Sequence, residues 1–326
     1  MLYLQDDHIR EIGIDWEKLT NIVQEVVAIE DSGDCVHPLK PYLRFRHPAN
    51  RIIAMPAYVG GHLQLAGIKW IASFPNNRQV GLPRAHNTLI LNHVATGEPT
   101  AFIHSGLLNG LRTAAVSGVV MKQFAAARQL DEIRLHLIGW GPIGRLHLDM
   151  CVALFGEKIT GVSLYDLNGI APHSIPEEVR GMTRVTRDWR TGYRDANVIL
   201  TCTVADERYI DEAPPCGALL LNVSLRDYRA ESVADVKAIV VDDWHEVCRE
   251  QTDIEQLHQR YGLQRADVRT LADVVLRDQL GEWDASEPIF FNPMGLGIFD
   301  IAIAGYYWQE ALRLNKGITL AGSRQV

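Results

Sequence analysis

The feature that most constrains this chain is a run of spaced glycines, Gly139-Trp140-Gly141-Pro142-Ile143-Gly144, set directly after the apolar segment Leu135-His136-Leu137-Ile138. A branched-aliphatic run that ends in G-x-G-x-x-G and passes into a helical stretch, here about Arg145 to Phe155, predicts a parallel strand turning sharply into a helix. Gly139 then permits the tight turn, Gly141 lets the backbone approach a pyrophosphate, and Gly144 lets the helix pack closely on the strand. With Pro142 and Ile143 they form the expected cofactor loop, because a helix N-terminus presents unpaired N–H groups and a positive dipole end to an anion. A glycine-rich turn without a ligand is the alternative. Asp166 argues against it, since it ends the next apolar segment, Val162-Ser163-Leu164-Tyr165, about 20 residues beyond the last glycine, where a carboxylate accepts hydrogen bonds from the adenosine ribose. A carboxylate there repels a 2′-phosphate, and Leu167-Asn168 offers no arginine to receive one, so NAD is expected rather than NADP.

The segments around this loop repeat the pattern of a short aliphatic run followed by a longer polar-apolar stretch. Strands are predicted at residues 133–138, 161–165, 183–185, 198–202, 219–223 and 238–241, as a doubly wound parallel sheet needs. Thr203 after the fourth strand and Ser224 after the fifth would then lie at the carboxyl edge, by the nicotinamide half of the cofactor. Upstream the pattern changes to alternating segments, Arg51-Ile52-Ile53-Ala54-Met55, Gly67-Ile68-Lys69-Trp70-Ile71 and Thr88-Leu89-Ile90-Leu91, which predict a separate mixed or antiparallel sheet. A helix over about 112–128 would link the two, and a last helix over about 300–314 would return to the first domain. The fold class is therefore α/β: a Rossmann-like doubly wound sheet over 115–295, with a discontinuous α+β substrate-binding and dimerisation domain from 1–114 and 296–326.

With 326 residues, 47% of them hydrophobic, the chain can build about two cores. A net charge of -8 without a basic stripe argues against nucleic acid, and no apolar run is long enough to span a bilayer. The acidic N-terminal segment is unlike a secretory signal, so a cytoplasmic protein is expected. Cys35, Cys151, Cys202, Cys216 and Cys248 are scattered without a C-x-x-C pair, so they are expected to be buried fillers and no metal is expected.

Three cations in the first domain interrupt apolar stretches: Lys40, Lys69 and Arg112. Buried cations need anionic partners, and no carboxylate lies nearby in sequence, so the carboxylate of a ligand is one expected partner. Ion pairs with distant acids, or snorkelling to the surface, are the alternatives.

Taken in order, Lys40-Pro41, Met55-Pro56, Gly67-Ile68-Lys69, Arg112-Thr113-Ala114-Ala115, the glycine loop, and Met294-Gly295 followed by Asp300 resemble the ornithine cyclodeaminase/mu-crystallin family over nearly the whole chain. Segments such as Leu39-Lys40-Pro41-Tyr42-Leu43-Arg44, Val241-Asp242-Asp243-Trp244 and Asn292-Pro293-Met294-Gly295 look most like a branch acting on a secondary-amine amino acid. That resemblance implies NAD-dependent oxidation of a substrate with three carboxylates, an imine intermediate, and hydrolysis to L-2,3-diaminopropionate and 2-oxoglutarate for siderophore or peptide-antibiotic synthesis. Lys40, Arg44, Lys69, Arg84 and Arg112 would suit such a substrate. The resemblance adds Thr113, Val223 and Met294 to the expected cofactor contacts, and it implies a homodimer formed through the first domain.

The acidic residue that follows the fifth strand in cyclodeaminases has no clean counterpart here. Asp227 is the nearest candidate for a base, with a turn carboxylate as its other reading, and His86 beside Arg84 reads as structural. Catalytic roles are thus expected at Lys69, Arg112 and Asp227. Ornithine cyclisation, ketimine reduction and non-catalytic ligand binding are the competing functions.

Overall fold

The computed structural model describes residues 1–47 and 49–320, with the backbone alone for residue 78. Along the chain run β1 (Leu2–Gln5), α1 (Asp6–Ile12), α2 (Trp16–Asp31), β2 (Cys35–Val36), β3 (Tyr42–Arg44), β4 (Arg51–Val59), β5 (Leu65–Ser73), β6 (Ala85–Asn92), β7 (Pro99–His104) and α3 (Gly106–Ala127). Then come β8 (Ile133–Ile138), α4 (Pro142–Phe155), β9 (Ile159–Tyr165), α5 (Glu177–Arg180), β10 (Thr183–Val185), α6 (Trp189–Tyr193), β11 (Val198–Thr201), β12 (Leu219–Asn222), α7 (Ala230–Val233) and β13 (Ala238–Val241). The chain ends with α8 (Trp244–Val247), α9 (Asp253–Tyr261), β14 (Arg269–Thr270), α10 (Leu271–Leu276), β15 (Ile289–Asn292), α11 (Gly297–Arg313) and β16 (Ile318–Thr319).

Two compact units result. One is Met1–Arg112 together with the segment from Gly295 onwards, and the other is Thr113–Met294.

The first unit is built on a mixed sheet of order β16-β1-β7-β6-β5-β4-β2, with β3 also paired to β4. The meander β4-β5-β6-β7 is antiparallel and β1 runs parallel to β7. Pro56 has no N–H to donate, and it falls between the residues of β4 paired with β3 and those paired with β2, where the strand has a free edge. α11 packs on β4, β5 and α2, and its buried face (Ile298, Phe299, Ile301, Ile303, Ala304, Tyr307) completes this core. A helix with so few polar positions is stable only when covered on nearly every side.

The second unit has a fully parallel sheet of order β10-β9-β8-β11-β12-β15-β13-β14. Its central strands β11, β12, β13 and β15 are buried at every position, which is why they read as unbroken aliphatic runs rather than alternating ones.

Several sequence expectations need correction. The six predicted strands are present, three with the predicted bounds and three with one end shifted by one or two residues, but β14 and β15 were not foreseen, and β15 inserts between β12 and β13. Only four residues long, it lies far along the chain from both neighbours. The linking helix begins at Gly106 rather than Arg112, because Ser105 accepts a hydrogen bond from the Leu108 N–H and the distant Asp6 carboxylate accepts one from Leu107. α4 begins at Pro142, a residue tolerated at the first helical position because no N–H is required there. Of the cysteines, Cys151 alone is buried among the described residues; Cys216 is exposed and the other three are half-buried.

Candidate active site

In the first unit two of the sequence-predicted cations, Lys69 and Arg112, converge on one carboxylate. Lys69 lies mid-strand in β5, opposite Met55 on one side and Leu89 on the other, and its side chain points into the core, 1% exposed. Its Nζ donates to Asp300 Oδ1 at 2.9 Å and to Asn109 Oδ1 at 2.5 Å. Arg112, on α3, donates from Nε to the same Asp300 Oδ1, also at 2.9 Å. Asp300 is fully buried on α11, and its Oδ2 has no hydrogen-bond partner among the described residues. Lys40 is nearly buried and donates to the carbonyl of Gly295 at 2.7 Å.

At two of these cations the structure shows the alternative to a ligand carboxylate, an ion pair with a distant acid. Lys69 and Arg112 pair with an acid 231 and 188 residues away along the chain. The charges still do not balance, since two cations share one carboxylate oxygen. Burial pushes the Lys69 ammonium down to about 8; the Asp300 charge opposes that shift, while Arg112 and Lys40 add to it. For Asp300, burial raises the carboxyl, but Arg112 and Lys69 outweigh it and hold it below its ordinary range. Anchored through Nε, Arg112 leaves Nη1 and Nη2 without a hydrogen bond among the described residues, and those two nitrogens form the fork that matches a carboxylate. The guanidinium lies against Gly295, where φ is +82° and an added Cβ would fall 2.5 Å from Nη1.

The other predicted cations stand outside these pairings. Arg84 is half-buried and reaches Ser73 Oγ at 3.4 Å, at the end of β5. Arg44 is exposed, its guanidinium 5.1 Å from the ring centroid of Tyr42. His86 is exposed on β6.

In the second unit the glycine loop has the geometry its sequence requires. Gly139 has φ of +102°, and a Cβ there would lie 2.6 Å from the carbonyl oxygen of Cys202, so only glycine fits. Gly144 brings α4 down onto the loop, where a Cβ would meet the Gly139 carbonyl at 2.1 Å. Gly141, by contrast, faces open space and caps α4 without a side-chain hydrogen bond, which leaves the helix N-terminus for an anion. These residues fit a dinucleotide pyrophosphate.

Asp166, just after β9, does more than was foreseen. Its Oδ2 accepts the Trp140 N–H at 2.7 Å and its Oδ1 accepts the Asn168 N–H at 2.9 Å, so it also braces the glycine loop. Oδ1 also accepts from Asn168 Nδ2 at 3.3 Å, so Oδ2 is the oxygen that keeps a second lone pair for a ribose hydroxyl. Thr113 is half-buried on α3, Val223 follows β12, and the Met294 N–H donates to Asp242 Oδ1.

Asp227 is 1% exposed, not a surface turn carboxylate. It accepts hydrogen bonds from Thr203 Oγ1 and Ser224 Oγ at the carboxyl ends of β11 and β12. Burial first, and then the charge of Asp253, push its carboxyl up to about 7 against the hydrogen bond from Thr203. A carboxyl that titrates near neutrality can both take and return a proton. Among the described residues no group of His, Cys, Asp and Glu is arranged to hold a metal, and no helix is long and apolar enough to cross a membrane.

Asp300, Asn109 and Asp253 carried no role in the sequence reading. The signal for Asp300 was present, because it is the lone charge in Gly297-Ile298-Phe299-Asp300-Ile301-Ala302-Ile303. Asn109 is likewise the lone polar side chain in Gly106-Leu107-Leu108-Asn109-Gly110-Leu111, whereas Asp253 sits among polar residues and had no such signal.

The sequence profile of the ornithine cyclodeaminase/mu-crystallin family matches residues 3–314. The chain is 33% identical to an N-((2S)-2-amino-2-carboxyethyl)-L-glutamate dehydrogenase of Staphylococcus aureus, over 98% of each chain. Among solved structures it resembles a Thermococcus litoralis Delta(1)-pyrroline-2-carboxylate reductase in complex with NADH and L-proline, with a TM-score of 0.88 at 22% identity over 98% of this chain and 100% of that one. It also resembles an archaeal alanine dehydrogenase dimer with bound NAD, with a TM-score of 0.79 at 25% identity over 98% of this chain and 99% of that one.

Proposed function

The chain belongs to the ornithine cyclodeaminase/mu-crystallin family, and from that premise we propose that it is an NAD-dependent dehydrogenase of N-(2-amino-2-carboxyethyl)-L-glutamate, yielding L-2,3-diaminopropionate and 2-oxoglutarate. Its relatives are dehydrogenases and reductases of amino acids, so the coarser statement, an NAD-dependent enzyme acting on an amino-acid CH–NH group, stands on the family itself. The observation that carries the substrate class is the Lys69–Arg112–Asp300 cluster: two buried cations against one carboxylate, with the Nη edge of Arg112 turned to no acceptor among the described residues. Such a site is under-neutralised until an anion arrives, and a polycarboxylate amino acid is a ligand of that kind.

Gly139, Gly141 and Gly144 would hold the pyrophosphate of NAD and Asp166 its ribose, and the group so bound would supply a hydride acceptor for the substrate Cα–H. Arg112 would grip a substrate carboxylate through its two Nη atoms, while Lys69 and Lys40 add positive charge; fixing the carboxylates orients the Cα–H bond. Oxidation of the CH–NH bond leaves an imine, and water adds to its carbon to release the amine and the ketone. Asp227 is the group we assign to take the proton from that water, with Thr203 and Ser224 holding its carboxylate. The balance is one substrate, one NAD and one water giving one 2-oxoglutarate, one diaminopropionate, one NADH and one proton. The product is a building block for siderophores or peptide antibiotics. We also assign a homodimer through the sheet of the first unit, where Trp70 and Leu43 stand exposed.

The test is to mix the purified protein with NAD and synthetic N-(2-amino-2-carboxyethyl)-L-glutamate, follow NADH by absorbance and identify both products by mass. NADH with diaminopropionate is the expected result. Silence with this substrate, together with NADH consumption on a cyclic ketimine or proline formation from ornithine, would replace the proposal with one of those activities.

A further inference from the structure

The loop that carries Asp227 is held by a second buried carboxylate. Asp253, at the first position of α9, is fully buried. Its Oδ2 accepts from Asn222 Nδ2 at 2.9 Å, from the Asp227 N–H at 3.2 Å and from the Tyr228 N–H at 3.3 Å. Its own backbone N–H donates to the Leu225 carbonyl at 2.8 Å. On the far side its Oδ1 accepts from Arg208 Nε at 2.7 Å, and Arg208 also reaches the Gln251 carbonyl.

Asn222 extends this bracing across the sheet. Its Oδ1 accepts from Thr201 Oγ1 on β11 and from the Leu225 N–H, and its Nδ2 also donates to Asn292 Oδ1 on β15. Between these anchors Leu225 adopts φ of +66°, the left-handed region that a branched side chain avoids. A strained residue of this kind persists only where its surroundings over-determine it, and such strain gathers at functional loops. Asp253 and Asn222 together hold the Leu225, Asp227 and Tyr228 N–H groups and the Leu225 carbonyl of the bend.

We propose that Asp253, with Arg208 as its counter-ion, is the positioning residue that holds the Asp227 carboxylate for proton transfer. The proposal rests on the reading of Asp227 as the base. The charged and titratable groups facing Asp227 are Asp253 at the start of α9, Arg226 on its own loop, Cys202 after β11, and Tyr209 and Tyr228 on either side. Asp253 is the acid among them, and its negative charge raises the proton affinity of Asp227. Arg208 offsets that charge, which gives the arrangement a signature that simple structural support lacks. Removing the acid and removing its counter-ion must move Asp227 in opposite directions.

The experiment titrates Asp227 in the NAD-loaded protein by NMR of ¹³C-labelled aspartate carboxyls, assigned with Asp227→Asn, and records the pH profile of kcat for NADH formation from N-(2-amino-2-carboxyethyl)-L-glutamate. Asp253→Asn keeps an acceptor for the loop but removes the charge, so the Asp227 midpoint and the acidic limb of kcat should move to lower pH. Its plateau kcat should fall by about tenfold or more, with KM changed far less, as for a displaced base. Arg208→Gln should move the midpoint to higher pH. An unmoved midpoint in both variants, or shifts of the same sign, would overturn the proposal. If Asp227→Asn retained full turnover, the base assignment would fall, whatever the titrations of the other two variants gave.

Discussion

Replacing Lys69 with methionine should leave the protein as stable as before, or more so, while crippling turnover. The side chain is 1% exposed, and burial holds its pKa near 8 rather than 10.5. Keeping it charged at pH 7 therefore costs about 3 kcal/mol relative to the unfolded chain. Methionine is similar in volume and apolar, so it avoids that cost, and Asp300 keeps a one-to-one pair with Arg112. Against the gain, Asn109 Oδ1 loses a donor, worth about 1 kcal/mol, while the lost attraction to Asp300 is already contained in the shifted pKa. The balance is a gain of about 0–2 kcal/mol, or a thermal midpoint that stays level or rises by a few degrees. Turnover should move the other way, with kcat/KM falling by about 10- to 100-fold as a charged contact to a substrate carboxylate disappears.

The pH dependence carries a second signature of the same residue. Between about pH 8 and 10.5 the unfolded chain binds the Lys69 proton and the folded one does not, so this residue makes stability rise with pH across that window. The rise should be absent in the variant. Differential scanning fluorimetry from pH 7 to 10.5, together with steady-state kinetics, reads both effects. A loss of 3 kcal/mol or more on Lys69→Met, with kcat/KM intact, would refute the reasoning and make Lys69 a structural ion-pair partner.

Other outcomes follow from the same geometry. Asp300→Asn removes the shared counter-ion and leaves two buried cations unpaired, so it should cost about 3–5 kcal/mol in chemical denaturation; a cost below 1 kcal/mol would mean the cluster is not held by charge. In the native protein the contribution of Asp300 should be fully present above the ordinary carboxylate pKa and fade as pH falls through its depressed value. Gly139→Ala forces a Cβ against the Cys202 carbonyl at positive φ, and NAD affinity measured by calorimetry should fall by at least about tenfold. Asp166→Ala should weaken NAD binding and narrow its preference over NADP; unchanged relative affinities would remove Asp166 from the ribose site.

Much of the second unit was legible because its constraints are local. The glycines, Pro142 and Asp166 lie within one strand-turn-helix-strand segment, where neighbours in sequence are neighbours in space. Aliphatic runs marked the strands because a parallel sheet is buried on both faces. β15 escaped notice because its place between β12 and β13 depends on partners distant in the chain, and the start of α3 because Asp6 caps it from the far N-terminus. Asp227 was named but weighed as a turn residue, since nothing in Ser224-Leu225-Arg226-Asp227 reveals that α9 closes over it.

The sequence by itself determined the α/β class, the dinucleotide loop and the set of cations, because backbone conformation, periodicity and residue chemistry are written in short stretches. It also determined that Lys69 and Arg112 would need anions. Only the tertiary structure decided which anions: Asp300 on α11, one carboxylate shared by two cations, and Asp253 drawn beneath the loop of Asp227. Burial and charge pairing are properties of a site assembled from distant segments, and pairings across 231, 188 or 26 residues leave no pattern in the chain for local rules to read.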